Sequence, residues 1–410
     1  MTKKTIAILD TGREWGGGTN SMLELVARID KKRYRLKALF YDNYPKGKSS
    51  TVKAELERLG VEFILLRRPQ RLPYSKAVRE AGRALFFFSP SLKKRFVFSR
   101  DYRERIVPAA IDIADVLKKT GADLLYLNNQ PSSNLEGILA AGSLGLPCVQ
   151  HSRAVARLNA SEAGAVNAAV SKIICVSSGV RDALVESGVE AGRCVVVYNG
   201  IDKDAGPLRD AREVRSSLGI VADTFLIGTV GSLLKRKRTA LLIDALPFLK
   251  KGGKNACPRM SSAGVRCLIV GDGPEMVRLK EKAKRLGVED MVVFAGFSND
   301  ALSLANCLDL FILPSEGEGL PRVILEAMLL SKPVVAFDVS GVREVVDDGV
   351  TGLILKKEGG EAIASSVKEL MSGAARMKAM GEAGRARVIK EFAIDRYAAG
   401  VMRVFEEVVP

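Results

Sequence analysis

Short apolar runs, each leading into a turn and then a helical pattern, recur from one end of this chain to the other. Thr5-Ile-Ala-Ile-Leu9, residues 36–40 and 63–66, Asp123-Leu-Leu-Tyr-Leu127, Cys148-Val-Gln150 and Ile173-Ile-Cys-Val176 make a first series. Residues 225–231, 265–270, 292–297, 309–313 and 333–336 make a second. Runs without polar alternation suit strands covered on both faces, and strands that alternate with helices build parallel, doubly wound sheets. The chain is therefore read as α/β, and its 410 residues allow two or three domains, each with a sizeable core.

In open α/β sheets ligands bind beyond the carboxyl ends of the strands, so the turns there carry the functional candidates. Glu318-Gly319-Leu320-Pro321 ends the strand-like run 309–313 and precedes a helical pattern containing Glu326. Pro321 suits a first helical turn, and a helix N-terminus favours a phosphate or another anion. A helix starting just after Glu318 would separate the two carboxylates by roughly 12 Å along its axis. Ser232-Leu-Leu-Lys-Arg-Lys-Arg238 is a dense cationic turn after the run 225–231, and Gly271-Asp-Gly273 follows the run 265–270. Near the start, Gly16-Gly17-Gly18 lies between a strand and a helix, but it lacks the Lys of a P-loop and is not G-x-G-x-x-G. His151 is the lone histidine and follows a strand-like run, which excludes a His-rich metal site. Asp202-Lys-Asp204 spells the D-x-D of some metal-dependent transferases, yet within Asn199-Gly-Ile-Asp202 it reads as linker.

The net charge of +16 calls for an anionic partner without choosing among a phosphate-bearing small molecule, an anionic membrane and nucleic acid. No recognised nucleic-acid-binding motif accompanies the charge, which argues against the last. Six widely spaced cysteines, Cys148, Cys175, Cys194, Cys257, Cys267 and Cys307, form no C-x-x-C pair and read as reduced core residues. No window is long and apolar enough to span a bilayer, and Met1-Thr-Lys-Lys leads straight into a strand, so a cytoplasmic protein is expected.

One segment breaks the alternation. From Arg67 to Arg105 there are twelve Lys or Arg against three acidic residues, interleaved with Tyr74, Phe86-Phe-Phe88, Phe96, Phe98 and Tyr102. Such a mixture can sit on an anionic membrane interface, placing the protein peripherally on the inner face of the plasma membrane. It equally fits a helical pair whose aromatics pack on the sheet. Residues 250–264, polar and rich in Gly, Pro and Ser, read as an inserted surface loop.

The run Glu318-Gly-Leu-Pro321, Leu325-Glu-Ala-Met328, Lys332-Pro-Val-Val335, Gly341, Glu344-Val-Val346 and Asp348-Gly-Val-Thr-Gly352 resembles the retaining GT-B glycosyltransferases of group 1, the GT4 family. The resemblance covers most of the chain and is strongest over 265–352. It implies two Rossmann-like domains facing across a cleft: residues 1–203 on the acceptor side, 204–392 binding the nucleotide sugar, and a helix of 393–410 returning to the first. It implies that Glu318 meets hydroxyls of the donor sugar, that Glu326 holds the ribose, and that Lys237 binds the phosphates. Gly319, Leu320 and Pro321 shape that turn, and Gly231, Gly271 and Gly273 lie on the nucleotide side. His151 resembles the family's histidine at the donor sugar, and Gly17 and Gly18 its first donor loop. The family usually has arginine where this chain has Ser232, so a second cation must come from Lys235, Arg236 or Arg238; Arg236 is our assignment for donor binding.

The implied activity moves a sugar, with retention, from a nucleoside diphosphate (UDP favoured) to a glycan or lipid-linked acceptor in cell-surface polysaccharide or glycolipid synthesis. No metal and no other cofactor is expected. A sugar-nucleotide epimerase of the same fold and a non-catalytic basic adaptor for membrane or nucleic acid are the alternatives.

Overall fold

In the computed structural model, which describes residues 3–47, 49–69, 75–250 and 264–410, the apolar runs become two parallel sheets. Tyr74, Cys257 and most of the expected 250–264 loop lie outside the described residues. Backbone contacts divide the chain into two units. The first holds Met1–Cys175, Arg181–Val196 and Gly400–Pro410; the second holds Val176–Val180 and Val197–Ala399.

In the first unit the strands are β1 (Lys4–Asp10), β2 (Tyr34–Phe40), β3 (Pro45–Lys46), β4 (Ser50–Thr51), β5 (Glu62–Leu65), β6 (Leu124–Asn128), β7 (Cys148–Ser152), β8 (Lys172–Cys175) and β9 (Cys194–Val196). Apart from the small β3–β4 hairpin they form one sheet in the order β5-β2-β1-β6-β7-β8-β9. The chain builds outward from β1 through β2 to β5, then returns to lay β6 on the other side of β1. That reversal puts a topological switch point between the carboxyl ends of β1 and β6, at Asp10 and Asn128. Helix Ile394–Val408 contributes its last turns here, with the Phe405 ring 5.4 Å from that of Tyr126 and Glu407 bonded to Lys172 at 2.8 Å.

The second unit repeats the plan with β10 (Phe225–Val230), β11 (Val265–Val270), β12 (Val292–Gly296), β13 (Leu310–Leu313), β14 (Val334–Phe337) and β15 (Gly352–Leu355) in the order β12-β11-β10-β13-β14-β15. Its switch point falls between β10 and β13. Ile227, Cys267, Ile269, Leu310, Ile312 and Val335 fill one face of this sheet against helices Ala240–Lys250 and Gly360–Ser372. Gly228 sits mid-strand because a Cβ there would lie 2.4 Å from the Leu268 carbonyl oxygen.

The described residues of the segment 67–105 include a helical pair, Ser75–Leu85 and Pro90–Asp101, with Phe86 packed on Phe96 at 5.5 Å and Phe98 on Tyr102 at 6.0 Å. Helix Pro90–Asp101 buries no residue, and Phe87 and Phe88 at the turn are 78% and 65% exposed. Among the described residues no helix is long and apolar enough to cross a membrane.

Candidate active site

Three loops leave the carboxyl ends of β10, β11 and β13 and meet at the switch point of the second sheet. After β10, Gly231 turns with φ +151° and donates its N–H to the Val270 carbonyl at 2.9 Å, tying the first loop to the second. Leu233 donates in the same way to Asp272 at 2.8 Å. The loops press so closely that a Cβ on Gly271 would stand 1.9 Å from the Gly231 oxygen, and one on Gly273 would stand 2.7 Å from that of Leu233. Both glycines also have positive φ, so glycine is required on two counts.

The cationic turn follows as a single 3-10 turn, Lys235–Lys237, closed by Arg238 in the left-handed region at φ +48°. Arg238 is held there by Glu358 at 2.6 Å and Glu316 at 3.7 Å. The third loop docks on this turn through the backbone, Glu316 N–H donating to the Arg236 carbonyl at 2.9 Å. That register brings Lys237 Nζ to within 2.6 Å of Glu318 Oε1. The Arg236 side chain is exposed, while its carbonyl anchors the third loop.

Helix Arg322–Leu329 begins three residues later than a start just after Glu318, with Pro321 as its cap at φ −75° and ψ 101°. Proline disfavours helical backbone in the residue before it. Glu318 to Pro321 is therefore extended turn, and the 12 Å estimate for a fully helical span does not apply. Gly319 and Leu320 are buried, the latter accepting a hydrogen bond from Asn199 Nδ2 at 3.2 Å. Behind Gly319 lies Gly341, at φ +78°, whose Cβ would fall 2.0 Å from the Gly319 oxygen. Glu326, one turn into the helix, has Arg322 Nε at 3.8 Å; burial pushes its carboxyl up and the guanidinium pulls the other way. The hydroxyls of Ser315 and Ser340 are buried and have no hydrogen-bond partner among the described residues.

A cavity of about 430 Å³ opens beside the cationic turn, lined among others by Lys235, Arg238, Glu275, Arg278, Glu316 and Glu358. Its arginines are matched by carboxylates, Arg278 meeting Glu275 at 3.1 Å, and it is not lined by Lys237, Glu318 or Glu326. The chemistry is better placed at the switch point.

The first unit gathers a polar cluster of its own where β1, β6 and β7 end. Asp10, the last residue of β1, accepts from Asn128 Nδ2 at 2.6 Å, Asn129 Nδ2 at 2.7 Å and Gly12 N–H at 2.7 Å. Burial pushes its carboxyl up while these donors hold it down. Asn128 passes the connection to Arg153 Nε at 2.5 Å. His151 lies within β7 rather than beyond it, because the strand continues to pair with β6 through His151 and with β8 through Ser152. The imidazole is buried, with Nδ1 2.6 Å from Tyr126 Oη, and burial beside Arg153 keeps its pKa well below the usual value.

Gly17 and Gly18 open helix Gly17–Arg28 instead of preceding it. A Cβ on Gly18 would crowd Arg153 and Asn129 at 3.3 Å, whereas one on Gly17 would meet nothing within 4 Å. Space gives a reason for Gly18 and none for Gly17. Asp10, Asn128 and Arg153 were not singled out from the sequence. The available signal was a carboxylate, and then an Asn-Asn pair, closing otherwise apolar strands. Asp202 and Asp204 form a local turn, the Asp204 N–H donating to the Asp202 carboxylate at 3.0 Å.

Two family models match the chain. One described as glycosyl transferases group 1 covers residues 210–387, and one described as glycosyltransferase family 4 covers residues 15–205. The lipopolysaccharide core biosynthesis mannosyltransferase LpsB of Rhizobium meliloti is 30% identical over 220 residues, 52% of this chain and 61% of the relative. The N-acetyl-alpha-D-glucosaminyl L-malate synthase of Bacillus anthracis is 26% identical over 213 residues, 52% of this chain and 53% of the relative. In both, the match spans less than two thirds of the relative's length. Among solved structures, Anabaena HepE in complex with UDP-glucose superposes with a TM-score of 0.76 at 22% identity, covering 98% of this chain and 99% of that one. WaaG, a glycosyltransferase involved in lipopolysaccharide biosynthesis, superposes with a TM-score of 0.68 at 16% identity over 98% and 99% of the two chains. At these identities the superpositions establish the GT-B fold.

Proposed function

Because the chain belongs to the group 1 glycosyltransferases of the GT4 type, we propose that it transfers a sugar, with retention, from a UDP-sugar to a glycan or lipid-linked acceptor in cell-surface polysaccharide or glycolipid synthesis. The observation that carries the reading is the Lys237–Glu318 pair at the switch point between β10 and β13. A cation fixed there can neutralise the departing diphosphate without a metal, and charge aimed at a developing oxyanion is among the largest catalytic terms.

When the diphosphate engages Lys237, Glu318 is released to accept hydrogen bonds from the donor sugar and to stabilise positive charge developing on its ring. Glu326 takes the ribose hydroxyls, and the close-packed Gly231, Gly271 and Gly273 let backbone approach the nucleotide. Burial beside Arg153 disfavours the imidazolium of His151, which suits the ring to hydrogen bonding with a sugar hydroxyl rather than to carrying charge. UDP as the nucleotide is supported by its presence in the Anabaena protein of the same fold.

The test is thermal unfolding of the full chain with UDP, GDP, ADP or CDP, each with EDTA, beside Glu326→Ala. A nucleotide at about a hundred times its dissociation constant should add about 2.7 kcal/mol of stability. Stabilisation by UDP in EDTA that Glu326→Ala loses supports the reading. Absence of stabilisation by every nucleotide, or a requirement for manganese, would overturn the metal-free donor site.

A further inference from the structure

The helical pair that breaks the α/β alternation is built as an arm. Helix Pro90–Asp101, the π-helical turn Tyr102–Ile106 and helix Val107–Thr120 follow one another without interruption. The last of these packs on the first unit through Ala109, Ala110, Ile113, Ala114 and Leu117. It ends at Thr120, three residues before Asp123 meets Thr5 beside the amino ends of β1 and β6. Its start therefore lies toward the carboxyl ends of the strands. The 12 residues of Pro90–Asp101 and the five of the π turn, at about 1.5 Å each, add roughly 25 Å of continuous helix before that start.

The arm is packed against itself. Gly82 lets the Phe96 ring lie where a Cβ would be, only 2.0 Å away, and Phe86 packs on Phe96 at 5.5 Å between ring centres. Ser89 caps the returning helix by accepting from the Leu92 N–H. With Phe86 and Phe96 turned inward, Leu85, Phe87, Phe88 and Leu92 are left outward, the first three at least 65% exposed. Lys93, Lys94 and Arg95 follow at once, all exposed, and none has an ion-pair partner among the described residues.

We propose that this tip docks the protein on an anionic lipid bilayer, with Leu85, Phe87 and Phe88 entering the interface and Lys93, Lys94 and Arg95 meeting the headgroups. Charge complementarity selects this partner: residues 75–101 carry seven basic and two acidic side chains. Aromatic rings flanked by cations suit the boundary between acyl chains and anionic headgroups. A protein partner fits less well. Four apolar side chains, at roughly 150 Å² each, fall short of the ~800 Å² per partner that a stable interface buries. The docking does not rest on the donor-site reading, since it involves none of those residues.

The test is cosedimentation of the full chain with phosphatidylglycerol-containing vesicles and with pure phosphatidylcholine vesicles. Wild type is compared with Phe87→Ser/Phe88→Ser and with Lys93→Glu/Lys94→Glu, and UDP-induced thermal shifts report the donor site separately. We expect at least about tenfold tighter binding to the anionic vesicles, weakened by salt, and a loss of at least about tenfold in either double variant with the melting temperature unchanged. Equal binding to both vesicles, no binding, or double variants that bind like wild type would overturn the proposal. So would a tip that drives self-association, seen as an oligomer that Phe87→Ser/Phe88→Ser abolishes while vesicle binding persists.

Discussion

Lys237 Nζ and Glu318 Oε1 are 2.6 Å apart, on side chains only 18% and 9% exposed, although 81 positions separate them in sequence. Each neutralises the other in the free protein, so a diphosphate must draw the ammonium away from the carboxylate. Glu318→Gln removes that competition together with the group assigned to the sugar. Titration calorimetry should find UDP bound several-fold more tightly by the variant, while initial rates of transfer fall at least about a hundredfold. UDP bound more weakly by the variant would rule out competition for Lys237.

Packing behind the site is as restrictive as its charge. Alanine at Gly271 or Gly341 would place a Cβ within 2.0 Å of a carbonyl oxygen at a positive φ. Each substitution should lower stability by about 3 kcal/mol, combining overpacking with left-handed strain. Gly317→Ala, where a Cβ would meet nothing within 4 Å, is the matched control. Denaturant midpoints that leave the three variants alike would show that the loops relax freely.

Arg238 holds a left-handed conformation, which glycine adopts at no steric cost, while its guanidinium reaches Glu358 and Glu316. Half-exposed ion pairs of this kind are worth well under 1 kcal/mol each, and the backbone strain about 1–2 kcal/mol. Arg238→Gly should therefore unfold at nearly the wild-type denaturant concentration, with Arg238→Ala about 1 kcal/mol less stable than Arg238→Gly. Equal stability of the two variants would mean that the turn is unstrained.

His151 is the lone histidine, so its imidazole can be followed by NMR without assignment. Burial holds its pKa well below the usual 6.5, and the ring should stay neutral between pH 7.5 and 5.5. Below about pH 6.5 the unfolded chain takes up a proton that the folded chain refuses, so this residue lowers stability as pH falls, by up to about 1.4 kcal/mol per unit. His151→Gln should lose that component of the pH dependence. A ring titrating with a midpoint near 6.5 would place the imidazole in solvent.

Residue order alone made the local features legible. Apolar runs such as Phe225 to Val230 had the length and composition of doubly covered strands, and the glycines and cations after them marked turns at the strands' carboxyl ends. Period and turn chemistry are properties of neighbouring residues, and they sufficed for the α/β class, while Lys237, Glu318 and Glu326 were marked by the resemblance of short motifs, which is local in the same sense. Strand order is not local. It depends on which arrangement covers both faces of each sheet, and it made Lys237 and Glu318 partners by laying β13 beside β10. Only that arrangement brought Asp10, Asn128 and Arg153 together from the ends of β1, β6 and β7 and drew His151 into β7. The arm shows the same division: its basic and aromatic composition was legible, but its outward faces were set by Phe96 closing on Gly82 and by a helix that continues past the sheet. Composition states what a segment can bury, and tertiary packing decides which of it stays exposed.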